Sequence, residues 1–245
     1  MQKLETFHTH TNVAVIGSSG GIGAALVDAL ETVPHSHVFG FSRSAAGSST
    51  NARSTLLDYA SEASIASAAE HASSNGPLDL VIVATGILHD GSLQPEKSLR
   101  DINVDNMQRV MHVNAIGPAL VAKYFLPRMR RNHKTVFAAI SARVGSISDN
   151  RLGGWASYRA SKAALNMLLK TLSIEHARRW PEGVLAALHP GTVNTHLSEP
   201  FSSRVPSGKL FKPADSASNL LRVIDTLQAS DSGGFFAWDG QNIEY

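Results

Sequence analysis

The sequence predicts an α/β fold in which one doubly wound parallel sheet carries helices on both faces. Three observations predict it. Short apolar, β-rich runs alternate with longer helical patterns from residue 12 to the end, and such alternation calls for right-handed crossovers and a parallel sheet. Leu78–Val83 is an almost continuous apolar run, as expected of a strand buried on both faces. A glycine-rich turn, Gly17-Ser18-Ser19-Gly20-Gly21-Ile22-Gly23, joins the first such run to the first helical pattern.

Taken in order, Asn12–Ile16 reads as the first strand, and the helix through Ala24–Thr32 stops at Pro34. Val38–Phe41 and Thr55–Leu57 are the next strands, separated by a Ser/Gly/Ala-rich loop at Ser44–Ser54. Ala60–His71 is Ala-rich and helical, ending near Asn75-Gly76-Pro77, and Leu78–Val83 follows as a strand. A long helix is expected from Val104 to about Arg130, a strand at Thr135–Ser141, and a second long helix at Ala156–Arg178. Val184–Leu188, Ala214–Gln228 and Phe235–Trp238 complete a strand, helix, strand ending. With no internal repeat and no dividing linker, residues 1–245 are expected to form one domain, with 1–11 as a polar N-terminal extension. Its 43% hydrophobic residues suffice for a sizeable core.

Composition excludes several function classes. The net charge is only +2, whereas nucleic-acid binding needs clustered Lys and Arg. The one cluster, Arg128, Arg130 and Arg131, falls at a predicted helix end, where cations suit the dipole. There is no cysteine, which rules out disulfides, thiolate catalysis and Cys-based zinc sites. The eleven histidines form no His-Glu-x-x-His pattern, so no metal site is expected. No stretch approaches the roughly 20 apolar residues of a membrane span, and the N-terminus lacks a signal-peptide core. A cytoplasmic setting is the expectation.

Three motifs carry chemistry. Glycines at 17, 20, 21 and 23 permit a tight turn and let backbone N–H groups approach a pyrophosphate at the helix N-terminus; alone, such a turn also serves purely structural ends. After the second strand the chain reads Phe41-Ser42-Arg43-Ser44. A fold that prefers NAD usually presents an acid there, and Ser42 is none; Arg43 suits a 2′-phosphate, although a solvated arginine is also common on surfaces. Tyr158-Arg159-Ala160-Ser161-Lys162 sets a phenol and an amine four residues apart, on one face of a helix. A nearby ammonium lowers the pKa of a phenol toward working pH.

With these residues in hand, the chain from about Asn12 onward resembles the short-chain dehydrogenase/reductase family. Gly17-x-x-x-Gly21-x-Gly23, Asn114, Tyr158-x-x-x-Lys162 and Pro190-Gly191-Thr192-Val193-Asn194-Thr195 fall in family order. Gly145-Ser146-Ile147, Gly153-Gly154-Trp155 and Trp238-Asp239-Gly240 are similar to its C-factor-like branch, some of whose members act in cell–cell signalling. The resemblance implies a Rossmann-type sheet of order 3-2-1-4-5-6-7 and hydride transfer between NADP(H) and a carbonyl or alcohol carbon. It implies Tyr158 as proton donor or acceptor, and Lys162 holding the nicotinamide ribose. Asn114 would kink its helix and hold a water linking Lys162 to solvent. Ser19, Gly20, Ile22, Thr85 and Gly86 would line the cofactor, with Asp58 at the adenine edge unless it merely caps a helix. Pro190, Gly191, Val193 and Thr195 would close over the nicotinamide. Association into a homodimer or homotetramer through the two long helices is also implied.

Two departures stand out. The family's Asn-Asn-Ala-Gly run is here Val83-Ala84-Thr85-Gly86, and Ala84 lacks the asparagine's hydrogen bonds. The family's catalytic serine lies three residues before a glycine; counting back from Gly145 reaches Ala142. Ser141, on the other side of the strand by alternation, is the chosen carbonyl-polarising hydroxyl, with Ser146 as the other possibility. Trp155 and Phe201 are expected to wall the substrate pocket, and His196–Pro213 to act as a lid, the alternative being a surface loop whose aromatics only pack on the sheet edge. A rival reading is a nucleotide-binding signalling protein with little turnover, favoured by Ala142. A sugar-nucleotide epimerase is disfavoured, because 245 residues leave no room for its larger substrate domain.

Overall fold

The computed structural model describes residues 4–43, 54–200 and 210–245. Seven parallel strands form the sheet: β1 (Thr11–Ile16), β2 (Ser36–Ser42), β3 (Ser54–Leu56), β4 (Leu80–Val83), β5 (Thr135–Ile140), β6 (Gly183–His189) and β9 (Gly234–Ala237). Their order is β3-β2-β1-β4-β5-β6-β9, as the resemblance implies. The intervening β7 (Thr192–Val193) and β8 (Leu210–Phe211) pair only with each other.

Alternation along the strands sorts side chains onto two cores. Ala14, Ile16, Val81, Val83, Phe137, Ala139, Leu185 and Ala187 face α2 (Glu62–Ala72), α4 (Gly117–Phe125) and α5 (Ala156–His176). Val13, Val15, Leu80, Ile82, Val136, Ala138, Val184 and Ala186 face α1 (Gly21–Glu31) and α6 (Pro213–Thr226). Period-2 strands that are apolar at both phases can be buried only in this two-sided way.

Three expectations change. The long helix over Val104–Arg130 is interrupted: α3 (Val104–Met111) passes through a π-helical segment at His112–Ile116 into α4. A short 3₁₀ turn at Leu126–Arg128 then ends it. The arginine cluster does more than sit on a dipole. Arg128 donates to the Tyr124 carbonyl at 3.0 Å, but Arg130 forms an ion pair with the fully buried Asp79 at 2.5 Å, and Arg131 lies 4.7 Å over the Trp180 ring. The N-terminal stretch is also less detached than its polarity suggested. Leu4 joins the core beneath α1 and α6, and the Thr6 amide and hydroxyl both bond the Asp225 carboxylate.

Candidate active site

The sheet order reverses between β1 and β4, and the crevice beyond the carboxyl ends of strands at such a point is where doubly wound folds bind ligands. Segments from five parts of the chain meet there.

The glycine turn is closed by geometry only glycine allows. Gly17 has φ of +90°, and a Cβ on Gly23 would lie 2.1 Å from the Gly17 carbonyl oxygen. Gly20 caps α1 without a side-chain acceptor, which leaves the first-turn amides and positive dipole end open to an anion. Ser19, Gly20 and Gly21 are exposed at this point, and Ile22 is partly buried. Thr85 packs against Gly17, 3.0 Å from its notional Cβ, while its hydroxyl pairs with the Tyr59 phenol at 2.8 Å. Tyr59 in turn occupies the space that a side chain on Gly117 would fill.

Gly86 comes next. A Cβ there would lie 3.6 Å from both Asn114 Oδ1 and Lys162 Nζ, so these three positions are neighbours. Asn114 sits in the π-helical segment, fully buried. Its Oδ1 accepts from the Ile87 amide at 2.8 Å, and its Nδ2 donates to the Ile87 carbonyl at 2.9 Å and to Ser161 Oγ at 3.0 Å. The extra residue of the π turn is what aims this side chain off the helix axis at the β4 loop.

Tyr158 and Lys162 lie in the first two turns of α5, both buried. Lys162 Nζ is 5.8 Å from the Tyr158 ring centroid and donates to the Ile140 carbonyl at 2.8 Å. Burial pushes the Lys162 ammonium down to about 7 and the Tyr158 phenol up. The lowered phenol pKa expected from the pairing is therefore not what the protein's own groups produce, because desolvation outweighs an ammonium turned toward a backbone carbonyl. The Tyr158 ring packs edge-on against Trp155, 6.3 Å between centroids.

The Pro190–Thr195 segment lies over the glycine turn: Thr195 Cγ2 is 2.7 Å from a notional Cβ on Gly21. Gly191, at φ of +78°, passes under the Phe211 ring, Val193 pairs with Phe211 in the β7–β8 ladder, and the Pro190 carbonyl accepts from Ser216. Leu197, just beyond, reaches toward Gly86, and the His89 ring bonds the His196 and Leu197 carbonyls. Ser42 is buried at the end of β2 and Arg43 is exposed beside it. Asp58 does not cap α2; Ser61 does, and Asp58 accepts from the Ala60 amide.

Ser141 is not brought to Tyr158. Alternation along β5 turns it toward α5, where its hydroxyl donates to Asn166 Oδ1 at 2.7 Å. Asn166 is eight residues past Tyr158, about 12 Å down the helix at 1.5 Å per residue. Ser146 instead bonds Ser148 and the Asp149 amide. Among the described residues, no side chain hydrogen-bonds the Tyr158 phenol. Phe201 and half of the expected lid, residues 201–209, lie outside the described residues. Tyr59, His89, Glu96 and Leu197 were not anticipated from the sequence; only Gly117, three residues past Asn114, hinted that a ring packs there.

A family model described as short chain dehydrogenase matches residues 11–205. The chain belongs to the short-chain dehydrogenase/reductase family. Its C-factor-like branch is indicated by the C-signal protein of Myxococcus xanthus, 34% identical over 171 residues, covering 69% of this chain and 94% of that one. The structure of an NADPH-bound carbonyl reductase from chicken fatty liver superposes with a TM-score of 0.82 at 27% identity, covering 97% of this chain and all of the other. The carbonyl reductase Sniffer of D. melanogaster shares the fold, with a TM-score of 0.81 at 22% identity over 97% of this chain and 100% of its own.

Proposed function

We propose that this protein is an NADP(H)-dependent reductase, a single-domain enzyme acting on the carbonyl or alcohol group of small or medium organic molecules. The observation that carries the reading is the convergence of Tyr158, Lys162, Asn114 and Gly86 at the sheet's reversal point, beside an uncapped helix N-terminus. The residues suit the cofactor. The turn of Gly17–Gly23 offers amides to its pyrophosphate, Arg43 offers a guanidinium to its 2′-phosphate, and Gly86 adds no side chain beside Asn114 and Lys162. NADPH, when bound, supplies the hydride.

The chain's own groups then handle the proton. Tyr158, held protonated by burial, donates to the developing alkoxide. Lys162, 5.8 Å from the Tyr158 ring centroid, favours the phenolate left behind, and Asn114 fixes the α3–α4 bend against the Ile87 backbone. Polarisation of the carbonyl rests on Tyr158, since Ser141 is committed to Asn166. Trp155, against the Tyr158 ring, walls the substrate side. Exposed Ile116, Met167 and Ile174 support a homodimer or homotetramer, and the cytoplasm is the setting proposed for it.

A second reading, a nucleotide-binding signalling protein with little turnover, is favoured by the missing hydroxyl and by likeness to C-signal. Turnover decides between them. Purified protein is expected to oxidise NADPH, and NADH far more slowly, with members of an aldehyde and ketone panel. Tyr158→Phe should lower the rate by at least ~10²-fold while NADPH binding survives. NADPH binding without turnover on any panel member would favour the signalling reading.

A further inference from the structure

We infer that Glu96 is the positioning residue for Tyr158, acting as an external cap on α5 that holds the turn from which the phenol projects. The inference rests on the reading of Tyr158 as the proton donor.

Glu96 lies in the loop between β4 and α3, far from the tyrosine in sequence, yet it is only 5% exposed. Its carboxylate accepts from the Ser157 amide at 3.2 Å and from the Ser157 hydroxyl, and its backbone carbonyl accepts from the Trp155 amide at 2.6 Å. Among the described residues no cation pairs it. A buried carboxylate survives only where donors replace water, and here both donors belong to one residue in the first turn of α5, where the helix dipole adds to them.

That turn needs outside help. The N-cap position is Trp155, whose side chain offers no acceptor. Gly153, Gly154 and Trp155 are left-handed in succession, at φ of +62°, +68° and +53°, a region non-glycine residues enter at a cost. The turn is clamped from two sides. Arg159 donates to the Gly153 and Gly154 carbonyls at 3.1 and 3.0 Å, and Glu96 holds Trp155 and Ser157. Tyr158 follows directly, with no hydrogen bond of its own phenol among the described residues. Its ring is therefore placed by this backbone and by the edge of Trp155. The Glu96 loop is itself fixed, because Asp101 accepts from the Lys97 and Ser98 amides at 3.0 and 2.9 Å.

The test compares Glu96→Gln and Ser157→Ala, singly and together, in the full chain, using NADPH and the best substrate from the panel. Positioning predicts that Glu96→Gln lowers kcat by about tenfold or more, as small misplacements do. It predicts unchanged NADPH affinity and a larger solvent deuterium isotope effect, because proton transfer becomes slower. Ser157→Ala should act in the same direction, and the double variant should be no worse than Glu96→Gln, since both remove one contact. Near-native kcat in Glu96→Gln overturns the inference. So does a fall in kcat matched by losses of NADPH affinity and melting temperature with the isotope effect unchanged. If Glu96→Gln does not fold, Ser157→Ala, which leaves the charge and the Trp155 contact in place, carries the test by the same criteria. Tyr158→Phe separates the levels. An active Tyr158→Phe, or a wild type without turnover, overturns both the functional reading and this inference; an inactive Tyr158→Phe beside a fully active Glu96→Gln overturns this inference alone.

Discussion

At the residue scale the site is governed by burial. The Lys162 ammonium is held at about 7 by desolvation, so its charge is present below that pH and lost above it. Catalysis that uses this charge should decline as pH rises through about 7. Lys162→Arg, which cannot deprotonate, should remove that limb from a pH profile of kcat/KM, whatever it does to the absolute rate. Stability has the opposite slope. Between about 7 and 10.5 the unfolded chain binds more protons at this residue than the folded one, so resistance to urea should rise with pH across that window more steeply in the wild type than in Lys162→Met. Ala142 makes a second residue-scale prediction. The 3₁₀ turn that starts after it packs Gly145 onto Lys162, one turn from Tyr158 and well above the level of Ser141. Ala142→Ser should therefore add a second donor at the carbonyl and raise kcat/KM on unactivated ketones by roughly tenfold or more, by the reverse of losing an oxyanion donor. An unchanged or lower value in steady-state assays would mean the hydroxyl does not reach.

Elements set where those residues stand. The π segment at His112–Ile116 is joined to the β4 loop by Asn114, which satisfies both the amide and the carbonyl of Ile87. Asn114→Leu keeps the volume but orphans both groups, each at about 1–3 kcal/mol. Thermal unfolding should fall by several degrees, and kcat should fall with it, since Gly86 lies between Asn114 and Lys162. Asn114→Ser should recover less of the melting temperature than its polarity suggests, because a hydroxyl cannot serve both partners. At the far end of α5, His176 stacks on Trp180 at 4.7 Å with Nε2 buried and unpartnered. Burial holds it down to about 4. Acid therefore destabilises the fold as pH drops from about 6.5 toward 4, where the unfolded histidine is charged and the folded one is not.

For the molecule as a whole, the unfinished surface is that of the two long helices. Met167 and Ile174 are 66% and 57% exposed, one face of α5 apart by seven residues, a spacing of two helical turns. The proposed self-association through this face would bury them, so Met167→Glu with Ile174→Glu should shift light-scattering mass to that of one chain, 26.1 kDa for the wild-type protomer. A mass already at one chain in the wild type removes the dimer and tetramer reading. No helix among the described residues is long and apolar enough to cross a membrane.

How much of this was legible beforehand follows the range of the forces involved. The sequence by itself determined the alternation of strands and helices, the glycine turn and the Tyr158–Lys162 pair, because period, backbone freedom and a four-residue spacing are local properties. The strand order agrees with what the resemblance implies, and no local property of the sequence fixes it. Tertiary structure alone decided the rest. Whether Ser141 meets Tyr158 depends on the vertical register between β5 and α5, and that register matches it to Asn166 instead. The break in the long helix depends on Asn114 finding Ile87 across the crevice, and the fate of Glu96 on a helix cap 61 residues away. Desolvation, which sets the Lys162 and Tyr158 proton affinities, exists only once both helices and the sheet have closed around them.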